Sequence, residues 1–225
     1  MAITLLTSVN VQFATSTTNT VAIDTTGASL IVIGLTYRQT QGAHISDSAG
    51  NTWTSTGQYE GSGNQSGVIW YYKYNPSTSA THTFNNTDGG GTSNFGGISV
   101  FVFSGTRTAS TPFDQVTGKF NSSPVTPDNP GTITPSVGGC VMLTGVMNYN
   151  GSAPTMPTGY TGFTWTTATA FAGGHGYKIK TTASSETPSW GNLNTGATTA
   201  LNVIDFMPPA ATATLKSLSL TGVGT

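Results

Sequence analysis

The feature that most constrains the fold is a series of short apolar stretches separated by turn-forming residues. The stretches are rich in Val, Ile, Phe, Tyr and Thr, and they are bounded by Gly, Pro, Asn and Ser. No segment keeps the apolar repeat of an amphipathic helix, whereas the alternation typical of strands recurs along the whole chain. The pattern therefore predicts an all-β fold, an antiparallel β-sandwich of jelly-roll-like character.

Two halves of the sequence resemble each other, segment by segment and in the same order. The matched pairs are 27–37 with 139–148, 72–74 with 177–179, 83–84 with 189–190, and 100–103 with 203–206. A duplication would produce this echo, and so would two sheets of one sandwich that share one alternating pattern. Either origin predicts a single domain, because half of it alone would leave a face of each sheet uncovered.

We place the sandwich domain at residues 20–207. Its pseudo-repeated halves are 20–117 and 131–207, and a linker at 118–130 that carries three prolines joins them. Residues 1–19 are predicted to form an N-terminal arm or an edge strand.

Residues 208–225 are predicted to form an extended C-terminal arm. Pro208 and Pro209 end the last strand, and Leu215, Leu218 and Leu220 then alternate with polar or small residues. Such a segment can add a strand to its own sheet or to a neighbour's sheet, and a disordered tail is the other possibility. These three leucines are therefore candidate residues of an assembly arm.

Charged residues are scarce, which narrows the partners of this chain. They make up 7% of the sequence, against about 25% in an ordinary globular domain. The few Lys and Arg residues are scattered, so no basic stripe could follow nucleic-acid phosphates. The N-terminus lacks the basic and apolar regions of a signal peptide, and no run approaches the ~18 apolar residues of a membrane helix. We expect neither a nucleic-acid nor a membrane partner.

The segment from Ile45 to Trp53 has the sharpest local pattern, and it predicts a hairpin. Asp47 can accept a hydrogen bond from its own backbone two residues on, and Gly50 and Asn51 suit a tight turn. The alternative, an Asp/Asn cation site, lacks the convergent oxygen ligands of a calcium loop.

Metal and thiol chemistry are not indicated. His44, His82 and His175 lack the spacing that places two imidazoles on one metal, and Cys140 lies in an apolar run that predicts a small buried side chain. The sequence therefore predicts no metal site and no cofactor.

Carboxylate chemistry is the other route to an enzyme. Most carboxylates fall near turn residues, where they bond backbone. A glycosidase would need two facing carboxyls, for which the sequence offers pairs such as Glu60 with Asp88 or Glu186. There is no Gly-x-Ser-x-Gly motif with His and Asp following in order. The sequence does not favour an enzyme and assigns no catalytic residue.

Aromatic side chains in or beside polar, Gly-rich loops could instead contact a glycan or a protein partner. Aromatic residues within strands alternate across the sheet, so about half of them must face the core. The loop positions are the better candidates for contact. They are Tyr59, Tyr149, Tyr160 and Trp165.

A set of short motifs carries a resemblance to known proteins. They are Gly27-Ala-x-Leu30, Asp47-Ser-x-Gly-Asn-x-Trp53, Trp70-Tyr-Tyr72, Thr81-His-Thr-Phe84, Phe103-Ser-Gly105 and Thr111-Pro-Phe-Asp114. Between about Thr20 and Phe206 the chain resembles a loose family of largely uncharacterised β-sandwich proteins of phage virions and bacterial surfaces. The resemblance implies a jelly-roll-like sandwich used for display, attachment or shell decoration, and it transfers no catalytic residue.

Together these observations predict a phage virion structural protein, a capsid decoration protein or a head or tail-fibre component that acts by binding and assembly. It would be made in the host cytoplasm and located in the virion. Its partners would be other virion proteins or copies of itself in a homo-oligomer, with a cell-surface glycan as a further candidate. The alternatives are a carbohydrate-binding or adhesive module and, less favoured, a concanavalin-like glycan-cleaving enzyme.

Overall fold

The structure, a computed structural model, describes residues 2–13, 19–38, 44–61, 66–87, 96–149, 151–167 and 171–210. Thirteen strands and no helix lie within these ranges. The first eight are β1 (Thr4–Phe13), β2 (Asn19–Ile23), β3 (Leu30–Arg38), β4 (His44–Asp47), β5 (Thr54–Glu60), β6 (Ser66–Tyr74), β7 (His82–Thr87) and β8 (Gly96–Ser104). The others are β9 (Phe113–Asn121), β10 (Cys140–Tyr149), β11 (Thr161–Thr166), β12 (Phe171–Lys180) and β13 (Thr199–Phe206).

The strands form two large antiparallel sheets and a smaller third one. The first sheet has the order β1-β8-β3-β6-β5, the second β11-β12-β10-β13-β9, and the third β2-β7-β4. The two five-stranded sheets pack face to face, with β10 and β13 of the second sheet against β6 of the first. The prediction of an all-β sandwich is confirmed.

Both large sheets arrange their strands by the same rule. When the strands of each sheet are counted along the chain, the first sheet read from β1 and the second sheet read from β9 have the same spatial order: first, fifth, second, fourth, third. Strand β3 therefore corresponds to β10, β6 to β12 and β8 to β13, which are the segments that the sequence echo paired. The shared order favours duplication of one strand arrangement over two sheets that merely share an alternating pattern.

The correspondence extends to the third sheet. In the first half, β7 pairs with β2 and β4, and all three lie in connections between strands of the large sheet. In the second half, the corresponding connections are joined by isolated bridges between Asp128 and Trp190, Ile133 and Glu186, and Thr155 and Gly191. Each half thus repeats a jelly-roll-like arrangement of a large and a small sheet. The small sheet is a regular three-stranded sheet in the first half and is reduced to isolated bridges in the second.

Strand β3 shows why the apolar runs are uninterrupted. Leu30 and Val32 belong to the apolar cluster between the two large sheets. Ile31 and Ile33 belong to the cluster that also contains Phe84 of the third sheet. Because successive side chains point to opposite faces and both faces are covered, every position of this strand is apolar or small until Thr36.

The outer face of the second sheet is covered by irregular segments rather than by a regular sheet. Met142 and Val203 pack there against Tyr160. Val146 and Leu201 pack against Trp190 in a neighbouring cluster. The molecule therefore has four layers: the third sheet, the two large sheets, and these covering segments.

One predicted boundary differs from the structure. Residues 118–121, assigned to the linker, belong to β9, which pairs with β13 at the edge of the second sheet. Residues 1–19 were predicted to form an arm or an edge strand, and β1 within them pairs with β8 as an edge strand of the first sheet. The three prolines that suggested a linker begin only at Pro124, after β9 has ended.

Candidate functional site

The turn after β4 is organised around the carboxylate of Asp47. Its Oδ1 accepts hydrogen bonds from the backbone N–H groups of Ala49 and Asn51, at 2.8 and 3.1 Å. Its Oδ2 accepts one from Nε1 of Trp53 at 2.8 Å. Burial acts to raise the pKa of Asp47, but hydrogen bonds from Asn51, His82 and Ala49 outweigh it and hold that pKa below its usual value. The carboxylate closes a hairpin, as the motif predicted.

A row of side chains next to this turn has the composition of a catalytic triad. Oγ1 of Thr25 lies 2.9 Å from Nδ1 of His82, and Nε2 of His82 lies 3.4 Å from Oδ1 of Asp47. Thr25 and His82 are fully buried, and the Thr25 hydroxyl is also bonded to the backbone of Ser79. A nucleophile must reach its substrate, and this buried hydroxyl cannot. The three side chains instead connect the third sheet to the turn after β4.

Two hydrogen bonds cross the interface between the large sheets at equivalent places in the two halves. Trp70 of β6 donates from Nε1 to Oδ1 of Asn202 in β13, at 2.7 Å. In the equivalent position, Nδ1 of His175 in β12 lies 2.8 Å from Oγ of Ser99 in β8. Burial lowers the pKa of His175 to about 3, so its imidazole is neutral at ordinary pH. These bonds belong to the interior and offer no surface to a ligand.

Glycines make the close approach of the two sheets possible at this point. A Cβ at Gly34 would lie 2.6 Å from the Trp70 ring and 2.7 Å from the His175 ring. A Cβ at the equivalent Gly145 would lie 2.8 Å from Val68 and 3.2 Å from the His175 ring of the neighbouring strand β12. The two glycines that the sequence echo aligned therefore share one role, which is to admit the ring of the neighbouring strand.

The carboxylates of the described residues all accept hydrogen bonds from the protein itself. Of the eight in the sequence, Asp88 lies outside the described residues. The other seven are Asp24, Asp47, Glu60, Asp114, Asp128, Glu186 and Asp205.

Of the two glycosidase pairs considered, Glu60 with Asp88 lies partly outside the described residues, and the partners of Glu60 and Glu186 differ. Glu60 accepts a hydrogen bond from the Tyr37 hydroxyl at 2.6 Å. Glu186 is held by Lys178 and Lys180, each at 2.8 Å. Burial acts to raise the pKa of Glu186, but the two ammonium groups outweigh it and lower that pKa below its usual value. Glu186 is therefore ionised and committed to two ion pairs.

Asp114 and Asp205 form the one carboxyl pair that the described residues bring together, and sequence reasoning missed it. Burial and the neighbouring Asp114 raise the pKa of Asp205 to about 7. Oδ1 of Asp205 accepts a hydrogen bond from the backbone of Gln115 at 3.1 Å, and Asp114 accepts one from Ser136 at 2.7 Å. Asp205 is fully buried, so the pair does not face a cleft where a glycan could be cleaved.

The four aromatic candidates have different surroundings. Tyr160 is 8% exposed and Trp165 is 2% exposed, so the prediction that these two are surface contacts is wrong. Tyr160 packs onto the outer face of the second sheet, and Trp165 lies over Gly97. A polar loop such as the one that carries Tyr160 can still fold inward over a sheet, which its composition does not reveal. Trp165 instead lies within β11, where strand alternation directs it inward.

The other two aromatic candidates remain at least partly accessible. Tyr59 is half-buried, and its ring lies against Gly118, where a Cβ would come within 2.5 Å of it. Tyr149 is 37% exposed, with its ring centroid 4.9 Å from that of Phe171. Tyr149 is thus the one of the four that offers a free ring surface.

The assembly-arm candidates Leu215, Leu218 and Leu220 lie outside the described residues. Cys140 is fully buried, as predicted. Burial, with a contribution from Asp205, raises the pKa of its thiol to about 11, so the sulfur stays protonated.

The described ranges contain neither a cluster of metal-ligating side chains nor a helix able to span a membrane. No group of three or more His, Cys, Asp or Glu side chains in those ranges is placed to hold a metal ion. No helix in the described part of the chain has the length and apolar character needed to cross a membrane.

Comparison with known proteins gives no relative: no family model, no curated protein and no solved structure matches this chain. The most general feature of the chain's own geometry is that the described carboxylates are engaged in hydrogen bonds within the fold.

Proposed function

We propose that this chain is a structural protein of a phage virion, either a capsid decoration protein or a head or tail-fibre component, and that it acts by binding and assembly. The observation that carries the proposal is the use of the carboxylates. All seven in the described residues accept hydrogen bonds within the protein. These acid groups close turns and join strands within the fold. The activity that this arrangement favours is binding through surface contacts rather than acid–base chemistry.

The edges of the large sheets support the same proposal. Strand β1 is an edge strand of the first sheet and β11 is an edge strand of the second, so each pairs with a single neighbour. An unpaired strand edge presents N–H and C=O groups to which another chain can add a strand. The low charge of the chain, with a formal net charge of -1, means that neighbouring copies repel one another little. Copies of the chain and other virion proteins are the partners that we propose.

Glycan binding is the second candidate, and it has less support. Tyr160 and Trp165 are buried and offer no ring face to a sugar, which leaves Tyr149 as an exposed aromatic contact. Glycan cleavage has less support still, because the Asp114–Asp205 pair contains a fully buried carboxyl. A catalytic pair must lie on both sides of the bond it cleaves.

Particle fractionation tests the proposal. Virions from the producing host would be separated on a density gradient, and the chain would be quantified in each fraction by mass spectrometry. We expect it to follow the major shell protein at a constant ratio through the particle peak. Recovery in the soluble fraction alone, with particles complete without it, would contradict the proposal.

A further inference from the structure

Strand β1 has one open edge. It pairs with β8 on one side, and within the described ranges no strand pairs with it on the other. It is 10 residues long and contains neither a charged residue nor a proline. Proteins commonly protect an edge strand from other chains by shortness, charge, proline or a bulge. Only a bulge between Leu5 and Thr7 is present in β1, so the regular stretch that follows it is unprotected.

Hydrogen bonds of the neighbouring strand β8 show which way its backbone groups point. The Gly97 N–H donates to Oγ1 of Thr36 in β3 at 3.0 Å, and the Thr36 hydroxyl donates to the Gly97 carbonyl at 3.3 Å. The Ser29 N–H, just before β3, donates to the Phe103 carbonyl at 2.8 Å. Successive residues of a central strand bond to opposite neighbours, so the residues between these positions alternate between β3 and β1. Those that face β1 are Ile98, Val100 and Val102.

The register then assigns each residue of β1 to one side. The residues opposite the three that face β1 are Thr7, Val9 and Val11. Their main-chain groups therefore bond to β8, and the Asn10 side chain also donates to the Ile98 carbonyl at 3.1 Å. The residues whose N–H and C=O groups point to the open edge are Ser8, Asn10 and Gln12.

This edge is complementary to itself. A two-fold axis at Asn10 would set Ser8 of one copy opposite Gln12 of the other, so that every outward N–H and C=O from Ser8 to Gln12 finds a partner. The same axis sets Val9 opposite Val11 of the second copy, in the closely spaced type of cross-strand pair. Both valines are half-buried and pack against the cluster that contains Phe84. Pairing of the two copies would therefore extend an apolar cluster that already exists.

Charge favours β1 over the other large-sheet edges for such a pairing. A two-fold axis brings each residue close to the same residue of the other copy, so charges near the axis repel each other. Strand β1 carries no charge, whereas β5 carries Glu60 and β9 carries Asp114 and Lys119. Strands β5 and β9 also lie against each other. The remaining edge, β11, has only 6 residues.

We propose that two copies of this chain pair through β1, antiparallel and about a two-fold axis at Asn10. The dimer joins two five-stranded sheets into one continuous sheet. This inference rests on the proposed function, which makes copies of the chain its partners, and it assigns the surface through which they meet.

Sedimentation velocity of the full chain over a range of concentrations measures the dimer, and amide hydrogen exchange followed by NMR locates it. We expect the outward amides of Ser8, Asn10 and Gln12 to exchange more slowly as the concentration rises. Ser8→Pro removes an outward N–H and keeps the bonds to β8, as proline can do in an edge strand. We expect it to raise the dimer Kd at least about tenfold, because the facing carbonyl loses its donor.

Ser8→Ala is the matched control, because it keeps the main-chain N–H, and its Kd should equal that of the wild type. Gln12→Pro should weaken the dimer as Ser8→Pro does, and it replaces that variant if Ser8→Pro does not fold. Thr7→Pro removes an N–H that bonds to β8, so it should lower the melting temperature instead.

A chain that stays monomeric at every concentration would overturn the proposal. So would a dimer that keeps its Kd in both outward proline variants, one that protects the amides of β11 rather than those of β1, or one lost on removal of residues 211–225. Particle fractionation gives a separate answer. A monomeric chain that is found in particles would overturn the β1 dimer alone, and a β1 dimer that is absent from particles would overturn the virion function alone.

Discussion

Asp205 is a carboxylic acid in a strand whose neighbours Val203, Ile204 and Phe206 are apolar and buried. Burial and Asp114 raise its pKa from 3.8 to about 7. The folded state therefore binds a proton more tightly than the unfolded chain does. The stabilisation is complete below about pH 4 and is lost as the pH rises through about 7.

The variant Asp205→Asn should remove this pH dependence. A neutral amide can still accept from the Gln115 N–H and can donate to the Asp114 carboxylate. We expect Asp205→Asn to be more stable than the wild type at pH 8 by roughly 2–4 kcal/mol and similar to it at pH 4.5. Urea unfolding at both pH values measures this, with the exposed Asp24→Asn as control. An equal pH slope in Asp205→Asn and the wild type would disprove the assignment.

Gly34 tests the packing between the large sheets. The variant Gly34→Ala places a Cβ 2.6 Å from the Trp70 ring, so the sheets or the ring must shift. We expect a loss of about 1–3 kcal/mol in the free energy of unfolding. Gly196→Ala is the control, because its added Cβ meets only an atom of Asn194 at 3.5 Å. Similar stability of the two variants, measured by chemical denaturation, would show that the interface is loose there.

At the scale of elements, the turn after β4 depends on one side chain. Asp47→Ala leaves the N–H groups of Ala49, Asn51 and Trp53 without their acceptor, so we expect a loss of roughly 1–3 kcal/mol. Asp24→Ala is a matched control, since that carboxylate bonds the single exposed N–H of Thr26. Thermal unfolding, together with the fluorescence of Trp53, would report the difference. Equal effects of the two substitutions would contradict the role given to Asp47.

The N-terminal and C-terminal segments should differ in their contributions to stability and to assembly. Removal of residues 1–13 deletes β1 and uncovers apolar side chains of β8, so we expect an unstable protein. Removal of residues 211–225 takes away the alternating leucines and leaves every described strand intact. We expect the second truncation to keep the melting temperature of the full chain while lowering its incorporation into particles. Unchanged incorporation would eliminate the assembly arm.

The strands themselves were predictable because local alternation and turn residues carry the information. The uninterrupted run from Leu30 to Leu35 was the signal that a strand is covered on both faces, hence that more than two layers exist. The burial of Tyr160 was not predictable, since it depends on how an irregular segment folds over a distant sheet. Trp165 lies within β11, where strand alternation allows either face. The pairing of Asp205 with Asp114 likewise depends on contacts between segments remote in sequence, although an acid inside an apolar strand was a usable hint for Asp205.

At the scale of the whole molecule, two related halves form one four-layered body with a formal net charge of -1. Because such copies carry little net charge, their association should depend little on ionic strength, since salt acts by screening charges. We expect the chain to form an oligomer in solution whose size stays the same from about 50 to 500 mM NaCl, a range over which the Debye length changes severalfold. Light scattering after size-exclusion chromatography measures this. Dissociation at high salt would show that ion pairs hold the copies together.

The most direct test of the assembly account is a cryo-electron microscopy reconstruction of the intact particle from the producing host. The account predicts four-layered β density of this chain at regularly repeated positions, with neighbouring chains contacting its strand edges. A particle that is complete at that resolution and contains no such density would contradict it.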